Sequence, residues 1–270
     1  MLTRVLSGIV LATGIVTILL FTPPWGLGLV VTLALVLAAR EFQAIAHPEA
    51  DRVDFGFFLT ALVLTAAWPL LDDLWPGYTQ AFALCMGFGL IALLHLFRPD
   101  PIDDRIRRLS ADTLGLAYIG LTFPLIFLLR DRPDGGWVVV VTMAITFGAD
   151  TGAYFAGRFF GRHKLYEKVS PKKTIEGAVG GLAAGIGFAF LGRAIAPGLG
   201  DLTPLDTIIL GGVGAALGIV GDLFESLLKR SSGVKDSGDL IPGHGGVLDR
   251  IDALLFVGPF VYFYLEHLRP

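Results

Sequence analysis

Charged residues are scarce in this sequence. They make up 17% of its 270 residues, whereas soluble globular domains carry about 25%. Hydrophobic residues supply 54%, and the remaining charges fall in short stretches between long apolar runs. The composition excludes an ordinary soluble domain and predicts an all-α, polytopic integral membrane protein.

Cysteine is also nearly absent, and several motifs are missing. The single Cys85 lies in an apolar run, which excludes an internal disulfide and a cysteine-based metal cage. No GxxxxGK[ST] loop occurs, which excludes a P-loop NTPase. The first apolar run ends in "FTPPW" instead of a small-residue cleavage site, so we interpret it as a membrane helix and not as a signal peptide.

Apolar runs of about 20 residues, the length that spans a bilayer as a helix, recur along the chain. We predict about nine membrane helices, at residues 4–22, 25–45, 55–72, 78–97, 111–130, 136–160, 175–195, 203–228 and 247–267. Of the 21 Lys and Arg residues, 17 lie at the N-terminus or in the loops after even-numbered helices. The positive-inside rule then predicts a cytoplasmic N-terminus and an outer C-terminus. We expect one membrane-embedded domain, in which residues 1–135 are mainly scaffold and residues 136–270 form the catalytic half.

Two of the predicted helices carry small residues at a four-residue spacing. Gly177, Gly181 and Gly185 recur on the seventh, and Gly214 and Gly218 on the eighth. Such faces let membrane helices approach closely. They predict tight helix packing and permit a homodimer.

Acidic residues gather where the eighth helix ends and the ninth begins. Side chains three or four residues apart share a helical face, and here they are Asp222, Glu225, Ser226 and Lys229. A short connection would bring Asp222 and Asp249 within reach of one divalent cation. Carboxylates without His or Cys partners suit Mg²⁺. The alternative is that these acids only form ion pairs with nearby lysines and arginines.

Glycines surround His244 directly before the ninth helix. Gly243, Gly245 and Gly246 lack a Cβ, so the backbone can turn its N–H groups inward, and a helix N-terminus attracts negative charge. The pattern predicts a phosphate site, in which His244 would stabilise charge or transfer a proton.

A second polar cluster is predicted on the same side of the membrane. Asp150 lies within the sixth helix, and "SPKKT" (residues 170–174) precedes the seventh. Alone, its two lysines need no explanation beyond the positive-inside rule. Beside an acidic metal site they indicate a clamp for a polyphosphate, as in phosphoryl and nucleotidyl transfer.

The segment "SLLKRSSGVKDSGDLIPGHGGVLDRID" (residues 226–252) resembles the signature of the phosphatidate cytidylyltransferase (CDP-diacylglycerol synthase) family. We call it the signature segment. The matching residues are Ser226, Lys229, Arg230, Lys235, Asp236, Pro242, His244, Gly245, Gly246, Asp249, Arg250 and Asp252. The stretches "GDLFES" and "SPKKTIEG" are also similar to this family, whereas the N-terminal half matches it only in being apolar.

The resemblance implies transfer of CMP from CTP to phosphatidic acid, giving CDP-diacylglycerol and pyrophosphate for phospholipid synthesis. It implies Mg²⁺ as cofactor, held by Asp222 and Asp249, membrane lipids as surroundings and no nucleic acid partner. The implied catalytic residues are Asp222, Lys229, Arg230, Lys235, Asp236, His244, Asp249 and Arg250. The implied substrate-binding residues are Asp150, Ser170, Lys172, Lys173, Thr174, Ser226, Gly245, Gly246 and Asp252. The expected location is the bacterial inner membrane, with the site facing the cytoplasm.

Two other functions compete with this interpretation. A CTP-dependent polyprenol or dolichol kinase would phosphorylate a lipid alcohol and release CDP, but it should lack the full signature segment. An ion-coupled transporter also buries acidic residues, yet it should place them at mid-membrane in two related halves. This sequence has no internal repeat and collects its charge at one surface, which favours the transferase.

Overall fold

The computed structural model describes residues 2–98, 102–238, 240 and 245–268, and these residues are mostly helical. The helices are α1 (Leu2–Phe21), α2 (Pro24–Ala46), α3 (Arg52–Ala66), α4 (Trp68–Leu74), α5 (Gln80–Phe97), α6 (Arg105–Gly115), α7 (Pro124–Asp131), α8 (Gly135–Phe160), α9 (Ile175–Ile195), α10 (Pro204–Ser231), α11 (Leu248–Ile251) and α12 (Leu254–Phe263). A 3₁₀ turn (Ile102–Asp104) precedes α6, and π-helical segments follow α6 (Leu116–Leu121) and α12 (Tyr264–Leu268).

Seven helical runs of the described residues are long and apolar enough to cross a membrane. They are Pro24–Ala46, Gln80–Phe97, Ile102–Asp131, Gly135–Phe160, Ile175–Ile195, Pro204–Ser231 and Leu248–Leu268. Helix α1 contains a shorter apolar run, Val10–Phe21. The all-α, polytopic class is therefore confirmed, while the count of nine helices and the cytoplasmic N-terminus stay predictions.

Three predicted helices are divided in the structure, and one of them, the window 247–267, comprises α11, α12 and the π-helical segment after α12. The window 55–72 divides at Ala67 into α3 and α4. The window 111–130 passes from α6 through the π-helical segment to α7, which begins at Pro124. Proline lacks the backbone N–H that would continue the helical hydrogen bonds, so Pro69 and Pro124 explain breaks that hydropathy does not detect.

Helix α2 lies at the centre of the N-terminal half. It contacts α1, α3, α6 and α7, and it also contacts α10 and α11 of the C-terminal half. Beside it, Asp112 of α6 holds two buried histidines: His47 Nε2 lies 3.0 Å and His95 Nε2 2.8 Å from its two carboxylate oxygens. These contacts tie α2, α5 and α6 together at one end of the bundle.

Helices α8, α9 and α10 pack side by side on glycine faces. A Cβ added at Gly181 would lie 3.0 Å from the Ala149 carbonyl oxygen of α8, and one at Gly185 would lie 2.6 Å from Ala215 Cβ of α10. Both distances are shorter than an ordinary contact. The predicted tight packing is confirmed within the chain, and the small-residue faces that permitted a homodimer are used for it.

One element differs from the purely helical prediction. Strands β1 (Lys164–Tyr166) and β2 (Ser170–Thr174) form an antiparallel hairpin between α8 and α9, with Lys164 opposite Thr174. Sequence analysis placed the "SPKKT" stretch before a helix without assigning it a strand.

Candidate active site

A polar cavity of about 1080 Å³ lies where the end of α8, the β-hairpin, the start of α9, the end of α10 and the start of α11 meet. Its size falls at the upper end of the usual range for ligand sites. The predicted site residues that line it are Asp150, Lys172, Lys173, Thr174, Asp222, Lys229, Asp236, Gly245, Asp249, Arg250 and Asp252. The two clusters predicted separately from the sequence therefore form one site.

Close helix packing brings these elements together. A Cβ at Gly152 of α8 would lie 2.9 Å from the Gly180 carbonyl oxygen of α9, and one at Gly221 of α10 would lie 2.7 Å from the Asp252 carbonyl oxygen. Neither position has room for a larger residue without movement of the backbone. The glycines therefore set the distance between the walls of the cavity.

The hairpin directs two lysines into the cavity. Thr174 ends β2 and caps α9, since its hydroxyl oxygen accepts the Gly177 N–H at 3.1 Å. Glu176 accepts the backbone N–H groups of Arg162 (3.0 Å) and His163 (3.2 Å) and contacts His163 Nδ1 at 2.6 Å. Glu176 thus holds the residues before β1 against the start of α9, next to strand β2, which carries Lys172 and Lys173.

Lys173 connects the hairpin to α10. Its Nζ lies 2.7 Å from Asp222 Oδ2 and 3.4 Å from the Ile219 carbonyl oxygen. The other carboxylate oxygen of Asp222 has a long contact, 3.4 Å, with the Ser226 hydroxyl. The Asp222 side chain is partly exposed in the cavity, at 35%. Ser226 contacts Asp222 but does not line the cavity.

A second lysine lies between two acids. Lys229 Nζ is 2.5 Å from Glu225 Oε2 and 2.5 Å from Asp249 Oδ1. All three side chains are largely buried, with 12%, 1% and 7% exposed respectively. An unpaired charge would be costly there, so the three groups act as one network that joins α10 to α11.

Asp249 also accepts hydrogen bonds from the backbone of other residues in the signature segment. Its Oδ2 accepts the backbone N–H groups of Ser237 (3.1 Å) and Gly246 (2.9 Å). Gly245, before it, has a φ of +79°, a conformation that favours glycine. The Gly246 N–H therefore binds a protein carboxylate in this structure, and the phosphate role of Gly245 and Gly246 stays a prediction.

The sequence analysis missed Glu41 of α2. This buried carboxylate accepts the Val247 N–H at 2.9 Å, the Leu248 N–H at 2.8 Å and the Ser237 hydroxyl at 2.9 Å. The negative charge predicted at this helix N-terminus is thus supplied by the protein itself. A signal was present, because an ionisable residue inside an apolar window is a candidate functional residue by default.

Several predicted residues lie away from the cavity wall. Arg230 is exposed, with Nη1 3.5 Å from the Val234 carbonyl oxygen, and Lys235 is exposed. Ser170 lies at the start of β2 and does not line the cavity. His244 falls outside the described residues, so its predicted role stays a prediction.

The acids of the site have the chemistry of a Mg²⁺ site without a complete set of ligands. Within the described ranges, no group of three or more His, Cys, Asp or Glu side chains is arranged to hold a metal ion. Mg²⁺ usually takes one or two carboxylates and completes its shell with water and substrate phosphates. Asp222 and Asp249 line the same cavity and offer the hard oxygen donors that such an ion prefers; in this structure Asp222 pairs with Lys173 and Asp249 with Lys229.

These features define a class of protein. Helices of membrane-spanning length carry, at one end, a cavity lined by carboxylates and lysines. This combination is the recurring means of holding polyphosphates for transfer reactions, and it indicates a membrane-embedded transferase.

Comparison with known proteins gives the family. The sequence model of the cytidylyltransferase family matches residues 2–268, and the chain belongs to this family. Curated relatives are named phosphatidate cytidylyltransferase. The protein of Haemophilus influenzae is 34% identical over 97% of this chain and 97% of its own. That of Thermotoga maritima is 34% identical over 99% and 97%, and that of Pseudomonas aeruginosa is 37% identical over 81% and 79%. The resemblance drawn from the signature segment is confirmed.

Proposed function

We propose that this protein is a phosphatidate cytidylyltransferase, which makes CDP-diacylglycerol and pyrophosphate from CTP and phosphatidic acid. The family and the activity named for its relatives support this proposal. The observation that carries it is the single cavity in which Lys172, Lys173 and Asp222 meet the signature segment at one end of the membrane-length helices. A lipid head group and a water-soluble nucleotide could meet at such a place.

The reaction joins two anions. A phosphate oxygen of phosphatidate attacks the α-phosphorus of CTP, a new P–O bond forms, and the bond between the α-phosphorus and the bridging oxygen breaks to release pyrophosphate. Because both reactants are negative, cationic side chains must offset their repulsion. Lys172, Lys173 and Arg250 line the cavity and would hold phosphate oxygens. A phosphate monoester is already nucleophilic near neutral pH, so no strong general base is required.

The remaining signature residues would complete the site. Asp236 and Asp252 line the cavity, and Lys229 would keep its charge next to Asp249 when substrate binds. Asp222 and Asp249 would hold Mg²⁺, which when bound would neutralise charge on the triphosphate. Residues 1–135 would serve as scaffold and residues 136–270 would supply the chemistry.

We further propose a bacterial inner-membrane location with the site facing the cytoplasm, where CTP is available. The basic asymmetry supports this orientation. In a Cys85→Ser background, Lys168→Cys on the site side should react with an impermeant thiol reagent only after permeabilisation, and Asp201→Cys in the α9–α10 loop should react in intact cells. The reverse pattern would place the site outside.

The activity is tested with purified protein, CTP labelled at the α-phosphorus, phosphatidate and Mg²⁺. The expected result is label in a lipid with the mass of CDP-diacylglycerol, together with equimolar pyrophosphate. In a parallel reaction with a polyprenol in place of phosphatidate, release of CDP with a phosphorylated lipid alcohol would identify a lipid kinase instead. Absence of any lipid product, with ion-dependent uptake into vesicles, would identify a transporter.

A further inference from the structure

We infer that Glu41, on α2 in the N-terminal half, is a positioning residue for the active site, and this rests on the proposed function. Glu41 precedes its partners Ser237, Val247 and Leu248 by about 200 residues, with separations from 196 to 207. It does not line the cavity. Its effect on the reaction would pass through the signature segment.

The Glu41 carboxylate completes a helix cap across the chain. Val247 has helical dihedral angles, φ −69° and ψ −40°, so Gly246 occupies the capping position before it. In a capping box the third helical residue accepts the N–H of the capping residue, and the capping side chain accepts N–H groups of the first turn. Asp249 accepts the Gly246 N–H at 2.9 Å, as the third residue of a capping box does. Gly246 has no side chain to accept the N–H groups of the first turn, and Glu41 accepts those of Val247 and Leu248 instead.

The segment is shaped to receive this carboxylate. A Cβ at Gly246 would lie 2.3 Å from Glu41 Oε2, and a Cβ at Gly238 would lie 3.0 Å from Glu41 Oε1. A conventional Ser or Asp cap at position 246 would therefore collide with Glu41. The two glycines leave room for the Glu41 carboxylate and, at position 246, also for the Ser237 hydroxyl, which would lie 2.2 Å from the Cβ.

Ser237 couples Glu41 to Asp249. Its hydroxyl donates to Glu41 Oε2 at 2.9 Å, while its backbone N–H donates to Asp249 Oδ2 at 3.1 Å. Asp249 in turn holds Lys229 at 2.5 Å. Loss of the Glu41 carboxylate would therefore release the backbone that fixes Asp249, and through it Lys229.

Burying a carboxylate costs free energy, so it is an unusual way to stabilise a fold. Buried ionisable groups in membrane helices are costly and are usually functional, and an ordinary side-chain cap would satisfy the same N–H groups locally. Placing the cap on α2 makes the geometry of the signature segment depend on the packing of the N-terminal half. Precise positioning matters for rate, since a displacement of about 1 Å can cost roughly a hundredfold.

The test uses Glu41→Gln in the full-length protein, with Arg40→Gln as its control. Arg40 is the exposed neighbour on the same helix. Glutamine has one oxygen, so in either orientation its NH₂ group faces a backbone N–H. We expect kcat to fall at least about tenfold while KM for phosphatidate changes less than about threefold. Amide exchange, followed by mass spectrometry, should become faster across residues 245–253 and stay unchanged across α9.

Arg40→Gln should match wild type in every measurement. Wild-type kcat for folded Glu41→Gln would overturn the inference, and so would a lower kcat with unchanged exchange across residues 245–253. If Glu41→Gln does not fold, Ser237→Ala serves as the second variant, because it removes one hydroxyl and keeps the N–H to Asp249. It should show the same changes to a smaller degree, and wild-type kcat and exchange would again overturn the inference.

The two proposals fail separately. If wild type makes no CDP-diacylglycerol, the proposed function is wrong, and the exchange measurement on Glu41→Gln still decides whether Glu41 orders the signature segment. If wild type is active and only the Glu41 results are negative, the positioning role alone is wrong. Ser237→Ala should add little in a Glu41→Gln background, because residues that act through one network are not additive.

Discussion

Asp249→Asn and Asp222→Asn are the same chemical change at two aspartates of one cavity, and the structure predicts different costs in stability. Asp249 Oδ1 accepts from Lys229, and Oδ2 accepts from Ser237 N and Gly246 N. An asparagine has one acceptor oxygen and one donor NH₂ group. In either orientation, the NH₂ group would face Lys229 or the two backbone N–H groups.

The magnitude follows from burial. The side chains of Asp249 and Lys229 are only 7% and 12% exposed, and breaking a buried ion pair by removing one partner costs about 3–5 kcal/mol. Because Lys229 keeps Glu225, we take the lower end, about 3 kcal/mol. For a protein of this size that corresponds to a Tm lowered by roughly 6–12 °C. Asp222 and Lys173 are 35% and 22% exposed, so Asp222→Asn should cost only about 0–1 kcal/mol.

The two properties are measured on the same purified samples. Apparent Tm in detergent, at one heating rate and without nucleotide, reports stability, and CDP-diacylglycerol formation at varied Mg²⁺ reports activity. Both variants should be slower by roughly a hundredfold or more, because each removes a carboxylate from the proposed ion site. A wild-type Tm for Asp249→Asn, or an equal loss of Tm in both variants, would refute the argument from the Lys229 network. Near-normal activity with an unchanged Mg²⁺ requirement in either variant would refute the shared-ion proposal.

Two further predictions concern the lysines of the cavity and the packing of α9 on α10. Lys172 is exposed and Lys173 pairs with Asp222. Lys172→Ala should therefore mainly raise KM for CTP, whereas Lys173→Ala should also lower kcat. Equal effects on the use of CTP and of phosphatidate would contradict a role of these lysines in holding the nucleotide. Gly185→Val should destabilise the protein by roughly 1–3 kcal/mol, because its Cβ would lie 2.6 Å from Ala215 Cβ. The control Gly187→Val should leave apparent Tm nearly unchanged, because a Cβ there meets nothing within 4 Å. Similar Tm values for the two variants would contradict the packing of α9 on α10.

Local patterns in the sequence are sufficient to predict the class of protein and the part of the chain in which its candidate site lies. Hydropathy over about 20 residues depends on neighbours along the chain, and each of the seven membrane-length runs of the structure overlaps one predicted window. Their ends differ most at Ile102–Asp131, which begins before the predicted window 111–130. The signature segment was recognised by its resemblance to a known family, carried by its residue types and their spacing. The breaks at Ala67 and before Pro124 were missed, because hydropathy averages over the prolines that cause them.

The tertiary structure decided which charges meet. The sequence supplied several lysines and aspartates for one region, and only packing assigns Lys173 to Asp222 and Lys229 to Asp249. It also brings Glu41 to the N–H groups of Val247 and Leu248, although Glu41 lies 207 residues before Leu248. Such pairings depend on how helices distant along the chain approach one another, and no local pattern records that distance. The glycines of the signature segment are visible in the sequence, but the Glu41 carboxylate that lies against position 246 is visible only in the fold.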